Sequence, residues 1–276
     1  MADPNGTPQG PASDPANAKT LEAVRAGDYS GAHAAWQRVT DVDPRIHGSV
    51  SAFLLALCER FNEAEHLATT GELAGIAVIV RGERARLARW TELAGSRALA
   101  TAAPIDEAEH YAGLAHAFAT SDAALADRSK KALDGARRPV GGRLTLRSGD
   151  VIAFRELVDA DDAIGGMLEA YAGSGLLYFP FSAVQRVELL PPDNFMDHLM
   201  PLARVTSTAG SGVVYVPLLY ALSARNPEEA VRNGTLTTFS YLGKARRGLG
   251  HRDLVVDGNR LIGLAKIAAI DFEPAG

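Results

Sequence analysis

Asp159, Asp161 and Asp162 form the densest acidic group in the chain. Carboxylates so close together offer paired acid–base groups or oxygen ligands for a hard cation. A calcium loop of the helix–loop–helix type is not spelled out, because the twelfth position counted from Asp159 or Asp161 is alanine rather than glutamate. The reading preferred from sequence is a solvated acidic start to a helix running from Asp161 to Ala172, with the carboxylates facing its positive end. The densest basic run, Lys244, Arg246, Arg247 and Arg252 with His251, lies in GKARRGLGHRD. Arginine forks beside glycines suit an anion, but the preferred reading is again a solvated loop.

Other reactive types are scattered. None of His33, His47, His66, His110, His116, His198 and His251 pairs at i, i+4 beside a glutamate, so no metal site is expected. Gly141-Gly142 lacks the lysine of a phosphate loop, and Gly248 with Gly250 lacks the third glycine of a dinucleotide site. Ser207 to Gly212, STAGSG, lacks the order of a nucleophile elbow and reads as a flexible loop. No catalytic residue and no cofactor is predicted. The alternative is a hydrolase, or a ligand-sensing module, that joins Asp159 to Asp162 with His198 or His251.

Composition narrows the class further. With 28 basic and 33 acidic side chains the net charge is −5, so no general attraction to nucleic acid or anionic lipid is expected. Cys58 is the only cysteine and sits among Phe53, Leu54, Leu55 and Leu57, which predicts a buried, inert thiol in a reducing cytoplasm. The first residues lack the basic start and apolar core of an export signal, and Leu73 to Val80, the longest apolar run, is too short to span a bilayer.

These residues must be positioned by two stretches of different periodicity. Residues 1–17, interrupted by Pro4, Pro8, Pro11 and Pro15, predict a disordered tail. Residues 18–133 place apolar side chains three and four apart, as a helical array does. Gly27-Asp28-Tyr29 followed by Ala32, Trp36, Val39 and Pro44 has the spacing of the second helix of a tetratricopeptide repeat. Degenerate copies are read at Phe61-Asn62-Glu63-Ala64 and around Tyr111, Leu114, Phe118 and Leu125, the last with a turn at Thr120-Ser121-Asp122; an irregular helical bundle is the alternative. Residues 134–142, DGARRPVGG, read as a linker. Residues 143–276 then break into short apolar runs between turn signals, predicting a compact, mainly β domain. Its clearest marks are Leu176 to Phe181, Val184 to Leu190 stopped by Pro191-Pro192, and Asp257-Gly258 as a hairpin turn. The fold class expected is α+β, an all-α tetratricopeptide-like array followed by a β-rich domain.

The β-rich part also carries a resemblance. Asp161-Asp162, Gly165, Leu168-Glu169, Leu177-Tyr178-Phe179-Pro180-Phe181, Val187, Pro191-Pro192-Asp193 and Tyr215-Val216-Pro217 are similar to the carboxy-terminal half of the ImpE/TagJ family, accessory proteins of bacterial type VI secretion. The resemblance implies a non-enzymatic, cytoplasmic adaptor that binds the small subunit of the contractile sheath and links it to the ClpV unfoldase. Trp36, Tyr178, Phe179, Phe181 and Tyr215 are the aromatic candidates for docking a protein partner, with strand packing the commoner role for such residues.

Overall fold

The computed structural model describes residues 15–40, 42–91, 99–173, 175–208 and 210–273. Residues 1–14 of the expected tail therefore lie outside the described part, while helix α1 (Pro15–Arg25) already begins three residues before the predicted border. It is followed by α2 (Tyr29–Trp36), α3 (Pro44–Leu57), α4 (Phe61–Thr70), α5 (Ala74–Thr91), α6 (Ala108–Thr120) and α7 (Ala123–Ala136). The chain crosses at 137–141 into an antiparallel β region.

One turn is used four times in the helical half. The residue ending each turn is left-handed, at Gly27 (φ 67°), Glu59 (φ 63°), Glu72 (φ 53°) and Ser121 (φ 57°). The next N–H reaches back five residues, from Asp28 to Ala23, Arg60 to Leu55, Leu73 to Ala68 and Asp122 to Ala117, each at 2.9 Å. This closes one helix while the same residue opens the next. Asp28 and Asp122 also cap with their carboxylates, accepting from Gly31 N at 2.8 Å and Leu125 N at 2.9 Å. The spacing read around Tyr29, Phe61 and Thr120 is thus a set of helical hairpins in which Ala32, Ala64 and Ala126 are buried at the crossing points. Pro44 does not stop α2, which already ends at Trp36. It takes the first position of α3 behind its cap Asp43, where a missing N–H costs nothing.

The β region comprises β1 (Gly142–Leu146), β2 (Val151–Phe154), β3 (Leu157–Asp159), β4 (Met167–Ala172), β5 (Gly175–Pro180), β6 (Val184–Leu189), β7 (Leu202–Ser207), β8 (Gly210–Tyr215), β9 (Thr237–Leu242), β10 (Ala245–Gly250), β11 (Asp253–Val256), β12 (Arg260–Gly263) and β13 (Ile267–Phe272). Eight strands form one sheet in the order β2-β1-β13-β6-β7-β8-β4-β5; β12-β11-β3 and β10-β9 form smaller ones. The last strand thus lies between β1 and β6. Asp257 (φ 49°) and Gly258 (φ 76°) make the β11–β12 hairpin with both residues left-handed, as that dipeptide predicts.

Two expectations fail here. Asp161 to Ala172 is a loop followed by strand β4, and of the expected flexible loop Ser207 ends β7 while Gly210 to Gly212 open β8. MLEAYA in β4 has helix-forming residues, but it lies between β5 and β8 under α5 with its first five residues buried, and tertiary packing overrides local preference.

The cores run across the α–β border. A cluster led by Leu144, Val187, Leu254, Leu264, Ile267 and Ile270 fills the strand region. A second, from α1 to α5, includes Tyr171 of β4 and Met200. A third joins Trp90, Tyr111, Leu114 and Leu133 of the helices to Ala163, Met167, Tyr178 and Ala245.

Candidate functional site: a buried charge cluster between helix and sheet

Helix α5 carries Glu83, Arg86 and Arg89 at three-residue spacing, so all three project toward the sheet. Gly82 brings the helix onto β4: a Cβ there would stand 2.4 Å from the Tyr171 ring. Arg86 Nε donates to Glu169 Oε1 at 2.6 Å and Nη1 to Glu83 Oε1 at 3.0 Å, with a further bond to the Leu219 carbonyl. Arg89 donates to the Tyr178 hydroxyl and, at 2.7 Å, to Ala163 O. Tyr178 passes the chain on, donating to Glu169 Oε2 at 2.7 Å.

Arg252, wholly buried, continues the cluster. Its Nη2 and Nε donate to Asp159 Oδ2 at 2.8 and 3.1 Å, and its Nη1 reaches Glu169 O at 3.2 Å and Pro217 O at 3.3 Å. Asp159 Oδ1 accepts from Tyr220 OH at 2.9 Å and Asp161 N at 2.8 Å. Asp161 accepts from Ala163 N at 2.9 Å and Gly248 N at 3.2 Å. Asp162 takes Arg246 N at 2.7 Å, and Arg246 Nε donates to Ala160 O at 2.7 Å. Arg247 lies over the Trp90 ring, 4.1 Å from its centre.

The electrostatics follow from burial. Taking Glu169 out of water raises its pKa, but the guanidiniums of Arg86 and Arg252 and the Tyr178 hydroxyl outweigh that and hold it below the usual carboxylate range. Asp161 is hydrogen-bonded by backbone N–H groups alone, and these with the Arg247 charge offset its burial only in part. Burial first, then the adjacent Asp159 charge, push it up to about 7. Cys58, half-buried, is pushed up to about 11, first by burial, which keeps its thiol protonated.

Two sequence expectations are corrected by this geometry. Asp159 and Asp161 are not solvated, since each is 1% exposed, and the basic run is not a solvated loop, since Ala245–Gly250 is strand β10 and Arg252 is 0% exposed. Sequence reasoning found both charge groups but not that they meet. Glu83, Arg86 and Arg89 on α5 and the partner Glu169 were missed, although three charges on one helical face are the signal that marks them. Among the aromatic candidates, Trp36, Tyr178 and Phe181 are buried at 4%, 1% and 2% exposure. Trp36 donates to His47 O at 3.0 Å and stacks on that ring. Phe179 and Tyr215 keep partial exposure.

Chemically the cluster is a lock. The described oxygens of Asp159, Asp161 and Glu169 are occupied by donors of the protein itself, so their lone pairs serve cohesion. A cleft of about 710 Å³ lies elsewhere, between Ile105, Tyr111, Arg137 and Arg138 on the helical side and Leu157, Met167, Pro180 and Phe181 on the strand side. Arg137 meets Glu156 across it at 2.8 Å. No group of three or more metal-ligating side chains stands together among the described residues.

Helical hairpins latched by buried ion pairs onto an antiparallel sheet define an α+β protein whose conspicuous charges are internal. Residues 152–271 match the family model described as ImpE protein. No curated protein matches the chain in sequence. Among solved structures, the crystal structure of protein VPA1032 from Vibrio parahaemolyticus shares the fold, with a TM-score of 0.75 over 93% of this chain and 98% of that one at 14% identity. No helix among the described residues is long and apolar enough to cross a membrane.

Proposed function

We propose that the protein is a non-enzymatic, cytoplasmic adaptor of a bacterial type VI secretion system, binding the sheath small subunit and linking it to the ClpV unfoldase during sheath recycling. The match of residues 152–271 to the ImpE family model supports the secretion role. The observation that carries the non-enzymatic part is the internal pairing of the acidic cluster: Asp159 is bound by Arg252 and Tyr220, and Asp161 by two backbone N–H groups. Each of these two carboxylates is 1% exposed, which keeps it out of reach of a substrate proton. Phe179 and Tyr215, half-exposed on β5 and β8, are the aromatic docking positions of this reading.

Co-purification of the full chain with the sheath small subunit and ClpV of the same genome tests it. Retention of the sheath subunit, weakened by Phe179→Ser or Tyr215→Ser, is expected. Failure to retain either protein, or turnover of a small molecule that disappears with Asp161→Asn, overturns it.

A further inference from the structure

The β9–β10 ribbon is finished differently along its two outer edges. The strands pair Ala245 with Leu242, Arg247 with Ser240 and Leu249 with Thr238, so alternate residues of each strand turn away from the other. On β10 these outward groups are closed by side chains of the same protein. Lys244 N donates to Asp127 Oδ1 at 2.6 Å, Arg246 N to Asp162 Oδ2 at 2.7 Å, Gly248 N to Asp161 Oδ2 at 3.2 Å and Gly250 N to Ser223 Oγ at 2.8 Å. On β9 the outward residues are Thr237, Phe239 and Tyr241, and no described residue bonds their N–H or C=O groups. The strand, TTFSYL, has neither a charge nor a proline to discourage pairing, and Tyr241 is 68% exposed. A ribbon of two strands is marginal by itself, and a third strand would complete it.

Charge selects the occupant. Residues 231–252 hold no carboxylate, and the ribbon itself carries Lys244, Arg246 and Arg247. The Arg246 guanidinium leans across to β9, 5.0 Å from the centre of the Phe239 ring. Its Nε donates to Ala160 O, and its Nη groups find no acceptor among the described residues. Lys244 is exposed and its ammonium meets no carboxylate among the described residues. Asp127, Asp161 and Asp162 serve the far edge of β10, which leaves the β9 side cationic. A second copy of the chain would bring these like charges together across the shared edge. An extended segment with carboxylates at every second position would instead set them on the face that Arg246 and Lys244 occupy. We infer that the outer edge of β9 takes an acidic, extended segment of a protein partner as a third strand, bonded by the backbone of Thr237, Phe239 and Tyr241. This deepens the adaptor reading, on which it rests for the partner being a protein, by naming the place and the mode of attachment.

The probe is a synthetic peptide of about eight residues alternating glutamate and valine, long enough to cover the strand. A lysine–valine peptide and an oligothymidine strand are its rivals, each added to the full chain. Tyr241→Pro deletes one outward N–H at an exposed edge position, where proline is tolerated, and Lys244→Glu reverses an exposed charge. Both variants are first checked for cooperative thermal unfolding. The glutamate peptide is expected to bind about 10-fold more tightly than the lysine peptide and to lose about 3-fold on Lys244→Glu. It should lose about 5-fold on Tyr241→Pro, the worth of one backbone bond, and should slow hydrogen exchange at Phe239 and Tyr241. If Tyr241→Pro does not fold, the Lys244→Glu loss and the exchange pattern decide. Equal binding of the two peptides, tighter binding of oligothymidine, protection confined to other segments, or protection of Phe239 and Tyr241 by self-association without peptide overturns the inference. Retention of the sheath subunit with the peptide results negative refutes this inference alone. Peptide binding as expected with no sheath subunit retained refutes the adaptor reading alone.

Discussion

Arg86 and Glu169 stand 83 residues apart in the chain and meet at 2.6 Å, with side-chain exposures of 3% and 1%. One belongs to the helical half and the other to the sheet, so this contact ties the two together at the point where water is excluded. Removing one partner of a buried pair leaves the other as an uncompensated charge. Glu169→Gln is therefore expected to lower stability by about 3–5 kcal/mol. Arg86→Met combined with Glu83→Gln and Glu169→Gln is expected to recover part of that, because both carboxylates that Arg86 pairs with are neutralised along with it. Urea melts of Glu169→Gln, Glu83→Gln, Arg86→Met and the combined variant decide it, and full additivity would contradict the coupling.

Asp161 gives stability a pH dependence of definite sign. Its carboxyl titrates near 3.8 when exposed and is raised to about 7 in the fold, so between those values the folded state holds a proton that the unfolded state has lost. Its contribution is present in full below about pH 4 and fades as pH rises through about 7. Asp161→Asn should flatten the decline between about pH 4 and 7. Midpoints of chemical unfolding across that range, compared between the two proteins, measure the effect.

Gly82→Ala should destabilise even though alanine is the better helix former. The added methyl would stand 2.4 Å from the buried Tyr171 ring, and overpacking of this kind costs about 1–3 kcal/mol against about 1 gained in propensity. Thermal unfolding of Gly82→Ala beside Gly135→Ala, whose added Cβ meets nothing within 4 Å, separates the two effects.

Glu59 occupies a left-handed turn, and it also bridges to Arg225 at 2.5 Å, with the Arg225 side chain half exposed. The backbone strain is about 1–2 kcal/mol, and an exposed bridge is worth about 0.2–1. Glu59→Gly is accordingly expected to be more stable than Glu59→Ala by about 1 kcal/mol. Arg225→Ala should move the midpoint little. A Glu59→Ala midpoint equal to that of Glu59→Gly would show that the turn carries no strain.

The fold was legible where local chemistry is strong. Alanine-rich periodicity marked the helices, Gly27-Asp28-Tyr29 and its copies marked the hairpins, and Asp257-Gly258 marked a turn that backbone sterics dictate. The runs at Leu176 to Phe181 and Val184 to Leu190 became β5 and β6 nearly to the residue. Strands β9 and β10 were hidden because TTFSYL and ARRGLG are polar or glycine-rich, and a two-stranded ribbon shows no clean alternation. The site was half visible for a related reason. Spacing reveals groups near one another along the chain, as Asp159 and Asp161 are, whereas Arg252 reaches Asp159 from 93 positions away. Burial itself, which turns a solvated charge into a latch, is set by packing that no local window contains.

The latch has a temporal side. Arg86 leaves the ribosome long before Glu169, and Arg252, whose guanidinium also bonds the Glu169 backbone, emerges another 83 residues later. At elongation speeds of about 5–20 residues per second, each interval lasts on the order of 10 s. Throughout it the nascent helices display cations destined for an interior not yet made, so the amino-terminal half must wait for the carboxy-terminal strands before it can close.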